Sequence, residues 1–224
     1  MHSAHVTVAI MAKAPKAGAV KTRLCPPLSP EEAASLYECF LRDKVAQVRT
    51  LAGTSGAIAF TPDDSRSLFE ELAPGFRLVA QRGDDLGSRL LNTLDTLLRD
   101  GHAAAVAIDS DTPNLPTDFL RQAVDLLASR APDVVLGPSD DGGYYLIGMR
   151  HPWPMLFDNM PWSTPAVLPE TLRRAEAKGL RVACLPPWFD VDTPADLERL
   201  IAALADSADE APAHTRRLLR RLRR

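Results

Sequence analysis

Val6-Thr-Val-Ala-Ile-Met11, followed by Lys13-Ala-Pro-Lys-Ala-Gly-Ala-Val-Lys-Thr-Arg-Leu24, is the stretch on which the fold turns. The first part is apolar and β-rich. The second carries four cations, a glycine and a threonine on the loop leaving that strand. Open α/β sheets bind ligands outside the carboxyl ends of their strands, so a cationic loop there suits a polyphosphate. Pro15 and Gly18 shape a tight turn that lets backbone N–H groups approach a ligand, and Thr22 adds a hydroxyl donor. Lys13, Lys16, Lys21 and Arg23 supply charge, with Arg23 suited to paired hydrogen bonds that Lys21 cannot copy. The competing reading is a solvated basic loop.

Outward from this opening, strand and helix signals alternate. Ser29-Pro30-Glu31-Glu32 combines an N-cap, a proline at the first helical position and a capping-box glutamate, predicting a helix to about Thr50. Strands are expected at residues 55–60, 76–81, 103–108, from 134 and at 180–185, with helices at 62–72, 85–99, 117–129, 164–177 and 193–205. Leu86, Leu90, Leu94 and Leu97/Leu98 form one stripe of the third helix. Asp141-Gly142-Gly143 breaks the chain before Tyr144-Tyr145-Leu146-Ile147, an extra strand free to run against the others. The alternation predicts an α/β fold, a Rossmann-like three-layer sandwich with a mostly parallel sheet.

The 224 residues, 46% hydrophobic and 25% charged, suit one sizeable core. One domain is expected over residues 1–205, with 206–224 a linker-like tail. No apolar run approaches the roughly 18 residues that span a bilayer, and the N-terminus has no secretory pattern, so a cytoplasmic protein without membrane contact is expected. Cys25, Cys39 and Cys184 lack paired spacing and read as reduced thiols; the five histidines, His2, His5, His102, His151 and His214, form no helical pair. Nucleophile elbow, Walker loop and dinucleotide fingerprint are missing from the sequence. Six arginines fill the last nine residues, and removing their charge from a net −3 leaves −9 for the rest. The arginine-rich end reads as a solvated or frayed basic tail ahead of a nucleic-acid or membrane-surface contact, and the acidic body requires local cations or a metal for an anionic ligand.

Two acidic pairs share one spacing. Asp109/Asp111 and Asp190/Asp192 follow predicted strands, where residues two apart face one side. Oxygen-only ligands suit Mg²⁺ or Mn²⁺ held against phosphates. The alternative makes these aspartates helix caps or turn residues before Pro113 and Pro194. Gln81-Arg82-Gly83-Asp84-Asp85-Leu86-Gly87-Ser88-Arg89 reads either as base- or ribose-binding or as a helix start capped by Asp85. Trp162-Ser163-Thr164 either closes over an acceptor or caps a helix with Ser163. Met155-Leu156-Phe157 suits a homodimer edge and core equally.

Five motifs in order, residues 13–24, 81–89, Ser110-Asp111-Thr112-Pro113, Asp141 to Gly148 and Trp162-Ser163-Thr164, resemble a bacterial glycosyltransferase-like family related to 2-phospho-lactate guanylyltransferase. It is also called the radical-SAM/selenodomain-associated transferase group. The resemblance spans residues 5–203 and implies the nucleotide-diphospho-sugar transferase (GT-A) fold. Asp190-Val-Asp-Thr-Pro-Ala-Asp-Leu197 looks like the closing motif of nucleotidyltransferases, whose acidic residue helps hold the metal with the aspartate carried onto Asp111. Where the family usually has a small residue, this chain has Asp109.

The resemblance implies a metal-dependent nucleotidyltransferase that joins NMP from an NTP to a small anionic acceptor. Lys21, Arg23 and Asp111 would be catalytic, and Asp111, Asp190 and Asp192 would hold the metal. Lys13, Pro15, Gly18, Lys21, Thr22, Arg23, Gln81, Gly83 and Arg89 would bind nucleotide. Asp141, Gly142, Gly143, Tyr144, Trp162, Ser163 and Thr164 would shape the acceptor site. The alternatives are a glycosyltransferase using a nucleotide sugar and a non-catalytic nucleotide-binding domain.

Overall fold

Seven strands line up in the order β3-β2-β1-β4-β6-β5-β7 in a computed structural model that describes residues 5–206 and 211–222. The strands are β1 (Val6–Lys13), β2 (Thr54–Thr61), β3 (Arg77–Ala80), β4 (Ala104–Ile108), β5 (Val134–Pro138), β6 (Tyr144–Met149) and β7 (Val182–Cys184). All pairings are parallel except those of β6, which runs against both neighbours. The helices are α1 (Pro30–Arg49), α2 (Arg66–Leu72), α3 (Leu86–Arg99), α4 (Thr117–Ala128), α5 (Val167–Ala177), α6 (Pro194–Asp206) and α7 (Ala213–Leu222).

The strands' period of two sends Val8, Ile10 and Val106 to one face, where α1, α2, α4 and α6 pack with Leu36, Phe40, Phe69, Leu120 and Leu200. The opposite face presents small residues, Ala9, Ala57, Ala105 and Ala107, to Leu90, Leu94 and Leu97 of α3 and Ala175 of α5. The predicted capping box at Ser29/Glu32 is formed, and a second links Asp85 with Ser88. The β5–β6 hairpin turns through Gly142 at φ 90°, with Gly143 N–H donating to Asp141 Oδ1 at 2.9 Å.

β1 lies between β2 and β4: the chain builds outward to β3 on one side and returns to begin the other side at β4. That reversal opens a crevice at the carboxyl ends of β1 and β4. Ile10 pairs with Ile108, so the loops after both strands emerge together.

Several expectations are corrected. The helix placed at 164–177 begins at Val167, since Pro165 disfavours helical backbone at Thr164 and Ser163 is left-handed at φ 63°. Ser163 therefore caps nothing; Ala166 is the N-cap, without a side-chain bond. Leu86 leaves the α3 core stripe and is 46% exposed. Leu156 and Phe157 are buried, so the 155–157 stretch is core rather than a dimer edge.

The tail read as linker-like forms α7 against α1. Buried Asp43 of α1 accepts bonds from His214 N–H at 2.9 Å, Thr215 N–H at 2.8 Å and Thr215 Oγ1 at 2.6 Å. Leu219 packs into the core. His2, Arg223 and Arg224 lie outside the described residues. Because one carboxylate satisfies both backbone donors, Asp43→Ala is expected to lower unfolding free energy by about 1–2 kcal/mol, measurable by urea denaturation. Faster amide exchange should then centre on α7, with α3 unaffected.

Candidate active site at the strand ends

Lys21 decides the geometry of the crevice. It sits in left-handed backbone at φ 48° before a 3₁₀ turn, Thr22–Leu24, which aims its side chain inward. Only 5% of that side chain is exposed. Its Nζ donates to Asp192 Oδ1 at 2.8 Å and forms a close ion pair with Asp111 Oδ1. Burial pulls the Lys21 ammonium down, but Asp111 and Asp192 outweigh it and carry the group above its ordinary value.

Backbone and caps bring these aspartates together. Val191 N–H donates to Asp111 O at 2.9 Å, tying the loop after β4 to the loop before α6. Asp196 Oδ2 accepts from Thr193 N–H at 2.7 Å and Asp192 N–H at 3.2 Å, while Asp196 N–H returns to Thr193 Oγ1 at 3.3 Å. This reciprocal cap orients Asp192. Tyr37 OH accepts from Lys13 N–H at 3.1 Å and shares a 2.8 Å bond with Ser110 Oγ, joining α1 to both loops.

The two acidic pairs are re-sorted in space. Asp111 and Asp192 share Lys21, whereas Asp190 bonds Ser139 and faces Asp109, which accepts from Thr112 Oγ1 at 2.7 Å. Burial first, then Asp109, raises the Asp190 carboxyl well above the usual range. Burial also raises Asp111, with Lys21 opposing and Asp109 and Asp192 adding to the rise. Lys44, fully buried in α1, has a long 3.4 Å contact with Gln47 Oε1. Burial brings its ammonium down to about 8 against the pull of Asp109, Asp190, Asp111 and Asp43.

Asp111 and Asp192 each meet Lys21 through Oδ1; Oδ2 of neither has a hydrogen-bond partner among the described residues. Among those residues, no three Asp, Glu, His or Cys side chains gather closely enough to hold an ion alone. Two hard oxygen donors on the rim fit Mg²⁺ or Mn²⁺ in the mode that completes the shell with ligand phosphates. Asp190 is engaged elsewhere.

Two clefts meet at this rim. The smaller, about 260 Å³, is lined by Lys13, Val20, Lys21, Thr22, Arg23 and Tyr37 beside Asp111 and Asp192. The larger, about 490 Å³, is lined by Arg23 and the same aspartates together with Asp141, Gly143, Tyr144, Trp162, Ser163 and Thr164. Arg23, Asp111 and Asp192 border both. Gly142 lies behind this wall, its missing Cβ allowing Pro165 to rest on the backbone.

Other expected ligand contacts are absorbed by structure. Lys13 Nζ donates to Ala19 O at 2.8 Å, closing the opening turn around Pro15 and Gly18. Gln81 Nε2 donates to Ala12 O at 3.1 Å and Ala59 O at 2.8 Å, stapling the ends of β1 and β2. Arg89 Nε donates to Gly83 O at 3.0 Å. Gln81, Gly83 and Arg89 line neither cleft. Ser139, Leu86, Leu90 and Met11 line the larger one and were not anticipated as site residues. Ser139 was legible as the polar residue just beyond β5; the leucines looked like core.

The family model described as Uncharacterized protein conserved in bacteria (DUF2064) matches residues 44–164. The chain belongs to this family. A solved structure from Desulfovibrio desulfuricans G20, provisionally assigned as a nucleotide-diphospho-sugar transferase, is 32% identical to this DUF2064 member. It aligns with a TM-score of 0.89 over 96% of this chain and 94% of that one. A cytidylyltransferase from Leptospira borgpetersenii serovar Hardjo-bovis is 14% identical, with a TM-score of 0.58 over 96% and 94%. Glucosyl-3-phosphoglycerate synthase from Mycobacterium tuberculosis is 13% identical, with a TM-score of 0.50 over 88% and 76%. The architecture is thus the nucleotide-diphospho-sugar transferase, GT-A-like fold. No curated protein matches the chain. No helix among the described residues is long and apolar enough to cross a membrane.

Removing the ammonium leaves two carboxylates facing each other. Lys21→Met in this DUF2064 protein is therefore expected to lose about 1–3 kcal/mol of stability in chelator, less than a fully buried pair because Asp111 and Asp192 retain solvent contact. Adding millimolar Mg²⁺ should raise the melting temperature of Lys21→Met more than that of the parent; equal shifts would contradict a shared cation position.

Proposed function

We propose that this protein is a metal-dependent nucleotidyltransferase that moves a nucleoside monophosphate from an NTP to a small anionic acceptor. The placement of Arg23 on both clefts carries the reading. One guanidinium borders the cationic turn, suited to the triphosphate, and the larger cavity, suited to the acceptor. Charge developing between them then falls beside a fixed cation.

The acceptor's phosphate- or phosphonate-type oxygen attacks the α-phosphorus. The new O–P bond forms as the bond to the bridging oxygen of the β-phosphate breaks, and diphosphate leaves with the electron pair. An ionised acceptor needs no strong base. Arg23 and Lys21 neutralise the departing diphosphate, and Asp111 and Asp192 would hold the metal. A bound Mg²⁺ or Mn²⁺ supplies Lewis-acid polarisation of the α-phosphate. Asp190, through Ser139, supports the rim rather than the ion.

Kinship with the 2-phospho-lactate guanylyltransferase-like group belongs to this proposal. So do a cytoplasmic location, where NTPs are available, and a single catalytic domain that takes in α7. The name of the 32% identical relative favours a second reading, in which a nucleotide sugar donates its sugar across the same rim.

Incubating purified protein with each common NTP, Mg²⁺ or Mn²⁺ and a panel of small phosphorylated acids separates the readings. The expected result is diphosphate release with one NTP, reduced about 100-fold or more in Asp111→Ala and Arg23→Ala. Inert NTPs with sugar transfer from a nucleotide sugar would establish the second reading; nucleotide binding without either reaction would sink both.

A further inference from the structure

Between β6 and α5 the chain runs through residues 150–166 with one 3₁₀ turn, Pro154–Leu156, as its regular structure. The later part of this segment supplies Trp162, Ser163 and Thr164 to the lining of the larger cavity. Two of its residues are left-handed, Asn159 at φ 49° and Ser163 at φ 63°. Asparagine tolerates that region better than serine, and such conformations persist only where their surroundings hold them.

A guanidinium does much of the holding. The carbonyls of Met155, Asp158 and Asn159 receive no backbone N–H among the described residues. Arg174 of α5 collects all three: Nη1 donates to Met155 O at 3.0 Å and to Asp158 O, and Nη2 donates to Asn159 O at 3.2 Å. Its Nε donates to Glu170 Oε1 at 2.6 Å, one helical turn back, so the fork is aimed before it meets the loop. Five donors in a rigid plane make this possible; an ammonium on a flexible stem cannot copy it.

Arg173 gives the contrast. It pairs with the same Glu170, through Nε at 2.7 Å and Nη2 at 2.8 Å, and bonds no loop carbonyl. Its side chain is 65% exposed, against 17% for Arg174. Neither arginine lines the cavity.

The rest of the loop is fixed by close packing. Trp162 meets Tyr144 edge-on with ring centres 6.2 Å apart, and its indole lies over Gly87, where an added Cβ would stand 2.7 Å from Nε1. Pro165 rests on Gly142, where a Cβ would come 2.5 Å from Pro165 Cα. Only Met160 and Pro161 separate Trp162 from the carbonyls that Arg174 holds, and Trp162 N–H closes back onto Met160 O at 2.8 Å. A shift at the base of the loop therefore carries directly to Trp162.

We infer that Arg174 is a positioning residue for the acceptor: without touching it, the guanidinium sets where Trp162, Ser163 and Thr164 stand around the larger cavity. The kinetic part of this inference rests on the proposed transfer; the conformational part does not.

Three variants of the full chain test it. Arg174→Lys keeps the charge but not the fork, Arg174→Met removes both, and Arg173→Met is the matched control. In hydrogen exchange read by mass spectrometry, residues 156–166 are expected to exchange about tenfold faster in both Arg174 variants, with α1 unchanged and Arg173→Met like the parent. Below the melting temperature of each variant, and with an acceptor that supports diphosphate release, KM for the acceptor is expected to rise about tenfold in the Arg174 variants while KM for the NTP stays unchanged. If Arg174→Met does not fold, Arg174→Lys carries the comparison. Parent-like behaviour of Arg174→Lys, an equal effect of Arg173→Met, parallel rises in both KM values, or a loosened loop with unchanged kinetics would each overturn the inference. A parent that transfers from neither an NTP nor a nucleotide sugar would end the transferase reading. Exchange then decides alone: loosening confined to the Arg174 variants upholds the setting of the loop by Arg174, and its absence overturns it.

Discussion

One buried ammonium, that of Lys21, organises the carboxyl edge of this sheet. Its three loops come from residues about 90 and 170 positions apart in the chain, and each would otherwise present like charge or an unsatisfied polar group to its neighbours. The ion pairs do not stand alone. The Val191–Asp111 backbone bond and the Thr193–Asp196 cap hold the aspartates in place, so electrostatics operates on geometry already set by hydrogen bonds. Lys44, beneath the same cluster, adds a second buried cation from α1. Together they let an acidic protein keep four aspartates at one strand edge.

The sheet's two faces serve different ends. The face carrying Val8, Ile10 and Val106 is packed by α1, α2, α4 and α6 and provides the bulk of the core. The alanine-rich face is covered by α3 and α5 but leaves a chamber lined by Leu86, Leu90, Tyr144 and Trp162. Small side chains in the strands and glycines at 87 and 142 make that arrangement possible, because each lets another element approach the backbone closely. The antiparallel β6 completes it by delivering Tyr144 at its first residue.

Local signals were faithful where the physics is local. The capping box at Ser29/Glu32, Asp85 as the α3 cap and the reversal at Asp141-Gly142-Gly143 are each settled within a few residues by backbone hydrogen bonds. They were less reliable where a distant partner decides. Gln81 carries the amide expected of a base reader, yet spends it on the carbonyls of Ala12 and Ala59 because β3 brings it beside two strand ends. The arginine-rich tail looked solvated because its anchor, Asp43, lies 171 residues away from His214.

By itself the sequence determined the alternation of strands and helices, the cationic turn after β1 and the placing of acidic pairs after strands, since hydrophobic period, caps and turn residues act over short distances. Tertiary structure alone decided which carboxylate meets which partner. Asp111 joins Asp192 across Lys21, while Asp109 is left with Asp190, because side-chain direction at a strand's end depends on the neighbouring loop's hydrogen bonds. It also decided that Leu86 would line a cavity instead of the core: a helical stripe specifies a face, but only the packed sheet beneath specifies where the core stops.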